Sequence, residues 1–278
     1  MVGTILNAAG IVIGGIAGLT RKTPIEASSQ SALKVAMGGF TFFFGLKLTW
    51  MSVNGSFLLI LKQLAIVILA LTLGRLTGRL LHLQKMSNAV GQFATKRIAA
   101  VPSGQKGSFN DGFIVASALY LAGPLAVLGT VPDGLIDYPL ALITKAMMDG
   151  LATMFFVQMF GWSAMLAVLP VVAYQGTWTL LARGLAPGLR DLGLIDPINA
   201  TAGLLIFCTA MIIFEVKKFE LADYLPSLVW ARSLRGCGGR RCRMPDTGCL
   251  MPDNGNWESL YGSQILSAMI QQKERPTP

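Results

Sequence analysis

The sequence predicts an all-α, polytopic transmembrane helix bundle of about seven spans, and two observations carry that expectation. Hydrophobic residues make up 53% of the 278 and charged residues only 13%, about half the ~25% charge of an ordinary soluble domain. The mean hydropathy is +0.57. The missing charge is also unevenly distributed, because long apolar runs alternate with short polar joints. In hydrocarbon every backbone N–H and C=O must find its partner within the protein, so a span is either a helix or part of a closed barrel. Barrel strands are short and alternate apolar with polar residues. These runs are long and continuous, so helices follow.

Residues 2–19 form the first span and carry no charge. The second lies near 35–53 with Lys47 inside it, and the third covers 57–74 with Lys62 and Gln63 near its start. The fourth, 112–131, is interrupted at Gly123-Pro124, and the fifth, 138–160, carries Lys145 and Asp149. Residues 162–181, with Pro170 and Gln175, make the sixth, and 198–214 the seventh. Each is roughly 17 to 23 residues, enough to cross about 30 Å of hydrocarbon. The start of the chain lacks the basic n-region of a cleavable signal peptide, so the first span is expected to be retained.

The joints set an orientation. Arg21 and Lys22 follow span one, six basic residues from Arg75 to Lys106 fill the joint between spans three and four, and Lys217 and Lys218 follow span seven. With seven spans these joints share one side, which the positive-inside rule makes cytoplasmic. The start of the chain is therefore expected outside, in a bacterial inner membrane. The net charge of +9 thus reports topology, and the expected partner is the lipid bilayer rather than nucleic acid. No dinucleotide-binding fingerprint, P-loop or HExxH is present, and no GxSxG nucleophile motif. Neither an enzyme nor a cofactor is expected.

Spans one and two resemble spans six and seven. Asn7-Ala8 and Gln175-Gly176 each place an amide beside a small residue, and Gly38-Gly39-Phe40 parallels Ala202-Gly203-Leu204. Span one runs inward and span six outward, so the two units would be inverted repeats, flanking a central broken-helix pair. Inverted repeats with a midplane site are a recurring transporter design.

The chain also resembles the YqgA/YdfK-like family of bacterial inner-membrane proteins, a family of unknown function (DUF554). The resemblance covers residues 1–230. It rests on Gly3-Thr4-Ile5-Leu6-Asn7, on Gly14-Gly15-Ile16-Ala17-Gly18, and on Gly123-Pro124-Leu125-Ala126-Val127-Leu128-Gly129 with Asp133-Gly134. Thr144-Lys145-Ala146-Met147-Met148-Asp149-Gly150, Leu169-Pro170 with Tyr174-Gln175-Gly176, and Leu225-Pro226 add to it. It implies a multi-spanning inner-membrane protein, sometimes loosely labelled a transporter, with no established chemistry. Such proteins would end soon after an eighth apolar segment, which here stops at Trp230. Residues 231–278 are rich in Arg, Gly, Pro and Cys. They read either as a disordered cytoplasmic extension or as out-of-frame sequence from a frameshift, and the abrupt change of composition favours the second.

Asp149 lies well inside a span, and Lys145 precedes it by one turn, so the two share a helix face. A charge at the bilayer centre costs about 2.5 to 3.5 kcal/mol on the insertion scale, so the pair belongs against protein or a water-filled cavity. It reads as an ion or proton relay, with Asp149 exchanging a cation and Lys145 supplying the counter-charge, or as a structural pair that neutralises itself. Gly123-Pro124 breaks the helix ladder, either freeing carbonyls for a cation or simply kinking the span. Asn7 and Gln175 either line a pore or join helices, such a bond being worth about 0.6 kcal/mol. Gly10, Gly14 and Gly18 form overlapping GxxxG spacings that suit close helix contact, within the chain or in a homo-oligomer. Cys208 is expected inert in span seven. Cys237, Cys242 and Cys249 lack the paired spacing and nearby His of a zinc site, so no metal is expected.

The leading expectation is a secondary transporter or exporter of an ion or small polar solute; the rival is a non-transporting membrane scaffold or assembly factor. A transporter predicts a polar cavity at mid-depth, reached by Asp149 and the Gly123-Pro124 break. A scaffold predicts a closed interior in which Lys145 alone satisfies Asp149.

Overall fold

The computed structural model describes residues 1–21, 27–53, 56–102, 107–216 and 219–231. The tail expectation for 231–278 therefore lies outside the described residues, apart from Ala231. Among the described residues the regular structure is entirely helical. The long helices are α1 (Val2–Thr20), α2 (Ala27–Ser52), α3 (Phe57–Leu80), α4 (Leu83–Ala99), α5 (Phe109–Ala122), α8 (Leu140–Phe160), α9 (Val168–Asp191) and α10 (Ile195–Ile213). Two short helices, α6 (Leu125–Leu128) and α7 (Thr130–Ile136), link α5 to α8.

By length and hydropathy, five helical stretches among these residues can cross a membrane, or six when the bent α5–α7 pair counts as one span. One of the five is the 52-residue stretch Leu140–Asp191, which the chain folds back on itself. Asn7 bonds both Asp149 of α8 and Gln175 of α9, whereas a straight rod would hold those two residues roughly 39 Å apart at 1.5 Å per residue. The reversal begins at Gly161, whose φ of +77° falls in the left-handed region that a residue without Cβ enters freely. A 3₁₀ segment, Gly161–Ala167, then leads into α9.

The packing explains the glycines. A Cβ built on Gly10 would lie 2.6 Å from the Ala146 carbonyl oxygen, on Gly14 2.0 Å from that of Gly150, and on Gly18 2.5 Å from that of Met154. Residue numbers rise together on both helices, so α1 and α8 run parallel with backbones in near contact. The GxxxG stripe is thus occupied within the chain. α2 runs antiparallel to α10, with Gly45 on Gly203 and Gly38 on Phe214, and α3 runs antiparallel to the segment after Glu220, with Gly78 on Asp223 and Gly74 on Ser227. Trp230 donates its indole N–H to Thr77 at 2.9 Å.

Proline sets the break in the fourth span. Pro124 supplies no N–H and pushes the preceding residue out of the helical region, and Gly123 is extended at φ −66°, ψ 128°. The helix axis bends by 63° there.

Three sequence expectations change. The sixth span starts in the 3₁₀ segment and its helix runs to Asp191, ten residues beyond 181, through Pro187. The third helix continues past Gly74 to Leu80. The basic joint between spans three and four holds helix α4, whose polar composition contains no apolar run. Asp223 caps it by accepting the Gln84 N–H at 2.8 Å, and α4 returns antiparallel beside α5, Ser87 meeting the Ala122 carbonyl and Arg97 meeting Asp111 at 2.8 Å.

Many large apolar side chains are left on the outside, among them Ile5, Ile13, Phe57, Leu58, Leu61 and Leu69. Exposed apolar surface of this extent suits lipid contact rather than water.

Candidate functional site: a buried polar cluster on helix α8

The interior of the bundle holds a compact group of polar side chains. Lys145 donates from Nζ to Asp149 Oδ2 at 2.5 Å, one turn along α8. The same carboxylate oxygen accepts from Asn7 Nδ2 at 3.1 Å, and Asn7 Nδ2 also donates to Gln175 Oε1 at 3.0 Å. Asp149 is 7% exposed, Lys145 4%, and both amides are fully buried. A carboxylate accepts only, so it dictates which end of the Asn7 amide faces it. Asn7 in turn dictates that of Gln175. Two polar atoms are left over, Asn7 Oδ1 and Gln175 Nε2, with no hydrogen-bond partner.

Two hydroxyl pairs flank this centre. Thr153, one turn past Asp149, donates to the Asp149 carbonyl at 2.6 Å, and its oxygen meets the Tyr120 hydroxyl at 2.7 Å. Since the Thr153 hydrogen is committed, Tyr120 is the donor in that second bond. Its ring lies 6.0 Å below Lys145 Nζ. On the other side, Thr4 and Thr179 meet at 3.3 Å, and beyond them the Gly3 N–H points to Asp133 Oδ1 at 3.5 Å. Asp133 is 1% exposed, with the Met1 nitrogen 3.1 Å from Oδ2.

The structure thus brings together Asn7, Lys145, Asp149 and Gln175 from three helices. It places Gly123 and Pro124 elsewhere: the Gly123 carbonyl accepts from Ala126 and the Pro124 carbonyl from Val127 and Leu128. Among the described residues no hydrogen bond links the break to Asp149. Gly10, Gly14 and Gly18 serve the cluster indirectly, by pressing α1 against α8 so that Asn7 reaches the carboxylate. Thr4, Tyr120, Thr153, Thr179 and Asp133 are the participants that sequence reasoning missed. Hydroxyl residues are common in apolar helices and give no signal, and Asp133 reads as part of an outer joint. Cys208 is half-buried in α10, while the tail cysteines lie outside the described residues.

A separate cavity of about 270 Å³ opens beside the start of α4, lined in part by Arg79, His82, Lys85, Glu220 and Asp223. It shares no residue with the cluster.

The cluster pairs one carboxylate with one tethered ammonium and is electrically neutral as a unit. Neutrality is what lets charges persist at this depth, since an uncompensated one costs several kcal/mol. Chemically, it is a carboxylate paired with the protein's own cation. Among the described residues no group of three or more His, Cys, Asp or Glu side chains gathers around it.

Comparison with known sequences gives a family and two relatives. A family described as "Protein of unknown function (DUF554)" matches residues 2–235. The "Uncharacterized membrane protein YdfK" of Bacillus subtilis (strain 168) is 28% identical over 230 residues, covering 82% of this chain and 93% of that protein. The "Uncharacterized protein YqgA" of Escherichia coli (strain K12) is 27% identical over 241 residues, covering 84% of this chain and 96% of that protein. No solved structure matches.

Proposed function

The chain belongs to the family described as protein of unknown function DUF554, and on that footing we propose that it is a secondary transporter or exporter of an ion or small polar solute, with Asp149 exchanging the coupling cation. One observation carries this reading. A buried Lys–Asp pair, bonded across three helices and flanked by two orphaned amide atoms, sits where packing alone calls for apolar residues. A buried ion pair adds little stability over an apolar replacement of similar volume, so packing gives no reason for it. Ionisable residues within spans mark ion pathways by default.

The charge balance selects the ion. Lys145 neutralises Asp149, so a monovalent cation that takes the ammonium's place on the carboxylate keeps the cluster neutral when the displaced Lys145 releases its proton, one cation entering for one proton leaving. A divalent cation would leave excess positive charge. The closed packing corresponds to the occluded point of the cycle. The antiparallel pairing of α1 with α9, α2 with α10, and α3 with residues 221–231 supports an inverted repeat, as a two-fold axis in the membrane plane would generate it. The reading entails seven crossings: α1, α2, α3, the bent α5–α7, α8, α9 and α10. Arg75, Arg79, Lys85, Lys96 and Arg97 then lie on the cytoplasmic side of a bacterial inner membrane, with the Met1 end outside. The bilayer is the partner, and no enzymatic chemistry is assigned.

The scaffold reading has one observation in its favour: the cluster is closed and the Gly123-Pro124 break does not join it. Reconstituted vesicles separate the two. With solutes screened under sodium, potassium and proton gradients, the wild type is expected to show gradient-driven flux and Asp149→Asn to lose it. Flux unchanged in Asp149→Asn defeats the relay. No gradient-driven flux in the wild type leaves the scaffold.

A further inference from the structure

The polar groups around Asp149 are not distributed evenly. They lie along two different helix seams, one toward each end of α8. Toward the Leu140 end, the contacts follow the seam between α1 and α9: Asn7 with Gln175, then Thr4 with Thr179 one turn on, then the Gly3 N–H with Asp133. All of these side chains are at least nine-tenths buried. Toward the Phe160 end, the polar groups leave α1 and α9 and follow the seam between α8 and α5. Thr153 and Tyr120 come first, and Ser117 lies one turn further along α5, its Oγ buried and without a hydrogen-bond partner. α5 runs antiparallel to α8 here, since a Cβ on Gly112 would lie 2.5 Å from the Phe160 side chain. Ser117 is therefore further from Asp149 than Tyr120 is.

We infer that Asp149 is reached from the two sides of the membrane along these two seams: past Thr179 and Thr4 from the Asp133 side, and past Ser117 and Tyr120 from the other. This rests on the exchange reading of Asp149. Of the buried polar atoms without a hydrogen-bond partner among the described residues, Asn7 Oδ1 and Gln175 Nε2 lie on the first seam and Ser117 Oγ on the second. Leaving such atoms dry is unfavourable, and passing water would offset that cost. The seams share no helix apart from the α8 site between them, so one can part while the other stays shut. Asp133 closes the Leu140 end of the first, with the Met1 nitrogen 3.1 Å from its Oδ2. Tyr120 stands inside the second, its ring face toward the Lys145 ammonium.

The test needs no knowledge of the solute. Thr179→Cys and Ser117→Cys are made in full-length protein whose native cysteines are replaced, with Ile13→Cys as the lipid-facing control. A membrane-impermeant thiol reagent is then applied from either side of sealed vesicles. The expected result is labelling of both positions above the control, each from one side and from opposite sides. Labelling of both from the same side overturns the two-seam path, as does labelling of only one. Labelling of neither, in vesicles whose flux still depends on Asp149, overturns the path and leaves the transport reading standing. Labelling of neither, with no flux, overturns both. Thr179→Ser and Ser117→Ala, which add no bulk, check by thermal melting that each position tolerates replacement.

Discussion

Asn7 has two amide hydrogens, and the fold directs one to Asp149 and one to Gln175. That makes it the joint between α8 and α9, and it leaves Asp149 with two donors, Lys145 and Asn7. Replacing Lys145 with Met removes the only formal counter-charge in the cluster. Loss of one partner from a buried pair typically costs about 3–5 kcal/mol, so Lys145→Met should lower thermal stability in detergent markedly. The double variant Lys145→Met/Asp149→Leu should recover most of that loss, because the uncompensated charge goes with its carboxylate. A double variant as unstable as the single one would mean that the pair is needed for packing, contrary to the reading above. At this scale the sequence was informative where spacing alone decides the contact. Lys145 and Asp149 are four apart on a helix and must share a face. Asn7 and Gln175 stood out as amides in apolar runs, yet nothing local shows that residues 168 apart touch each other. Thr153 and Thr179 could not be singled out, since a threonine satisfies itself on its own helix as readily as on a neighbour.

Helix α1 depends on having no side chains where it meets α8. A methyl at Gly14 would sit 2.0 Å from the Gly150 carbonyl oxygen, and backbone cannot step aside as a flexible side chain does. Gly14→Ala should therefore destabilise by about 1–3 kcal/mol, the usual range for overpacking. Gly39→Ala, where a Cβ meets nothing within 4 Å, should be neutral or slightly stabilising, as alanine favours helix over glycine. Equal melting temperatures for the two variants would contradict the α1–α8 contact. Glycine spacing told of a close approach, while the choice between α8 and a second molecule needed the fold. Helix α4 was hidden for the opposite reason: its polar composition resembles that of a loop, and its cap comes from Asp223, far along the chain. One exposed pair beside the end of α10 has a pH signature. Lys34 bonds Glu215 and holds its carboxyl below the usual carboxylate range, through the hydrogen bond first and the charge second. Its folded pKa is depressed, so the tether between α2 and the end of α10 is present above the ordinary carboxylate range and fades as pH falls through the depressed value. Melting temperatures of wild type and Glu215→Gln should differ slightly at neutral pH and converge in acid, the pair being exposed.

For the whole molecule, apolar runs separated by basic joints made the helical membrane class legible, because bilayer thickness and backbone hydrogen bonding leave few alternatives. Ends of helices were less legible: α9 continues to Asp191, with Leu189 in a buried cluster, and α3 to Leu80, with Gly78 against Asp223, contacts that come from distant parts of the chain. The antiparallel pairs α1–α9 and α2–α10 place Gly45 on Gly203 and Asn7 on Gln175. Correspondence between the two ends of the chain was visible in the Gly-Gly-Phe and Ala-Gly-Leu triplets, but not the crossing it produces. The central claim is that the Lys145–Asp149 cluster is a place where a monovalent cation is exchanged. It is tested most directly by charge movement in a protein-loaded membrane on a solid support, recorded during jumps of pH, sodium or potassium. The account predicts a transient current in the wild type for at least one of these jumps and none in Asp149→Asn. Currents of equal size in both proteins, or none in the wild type, would contradict it.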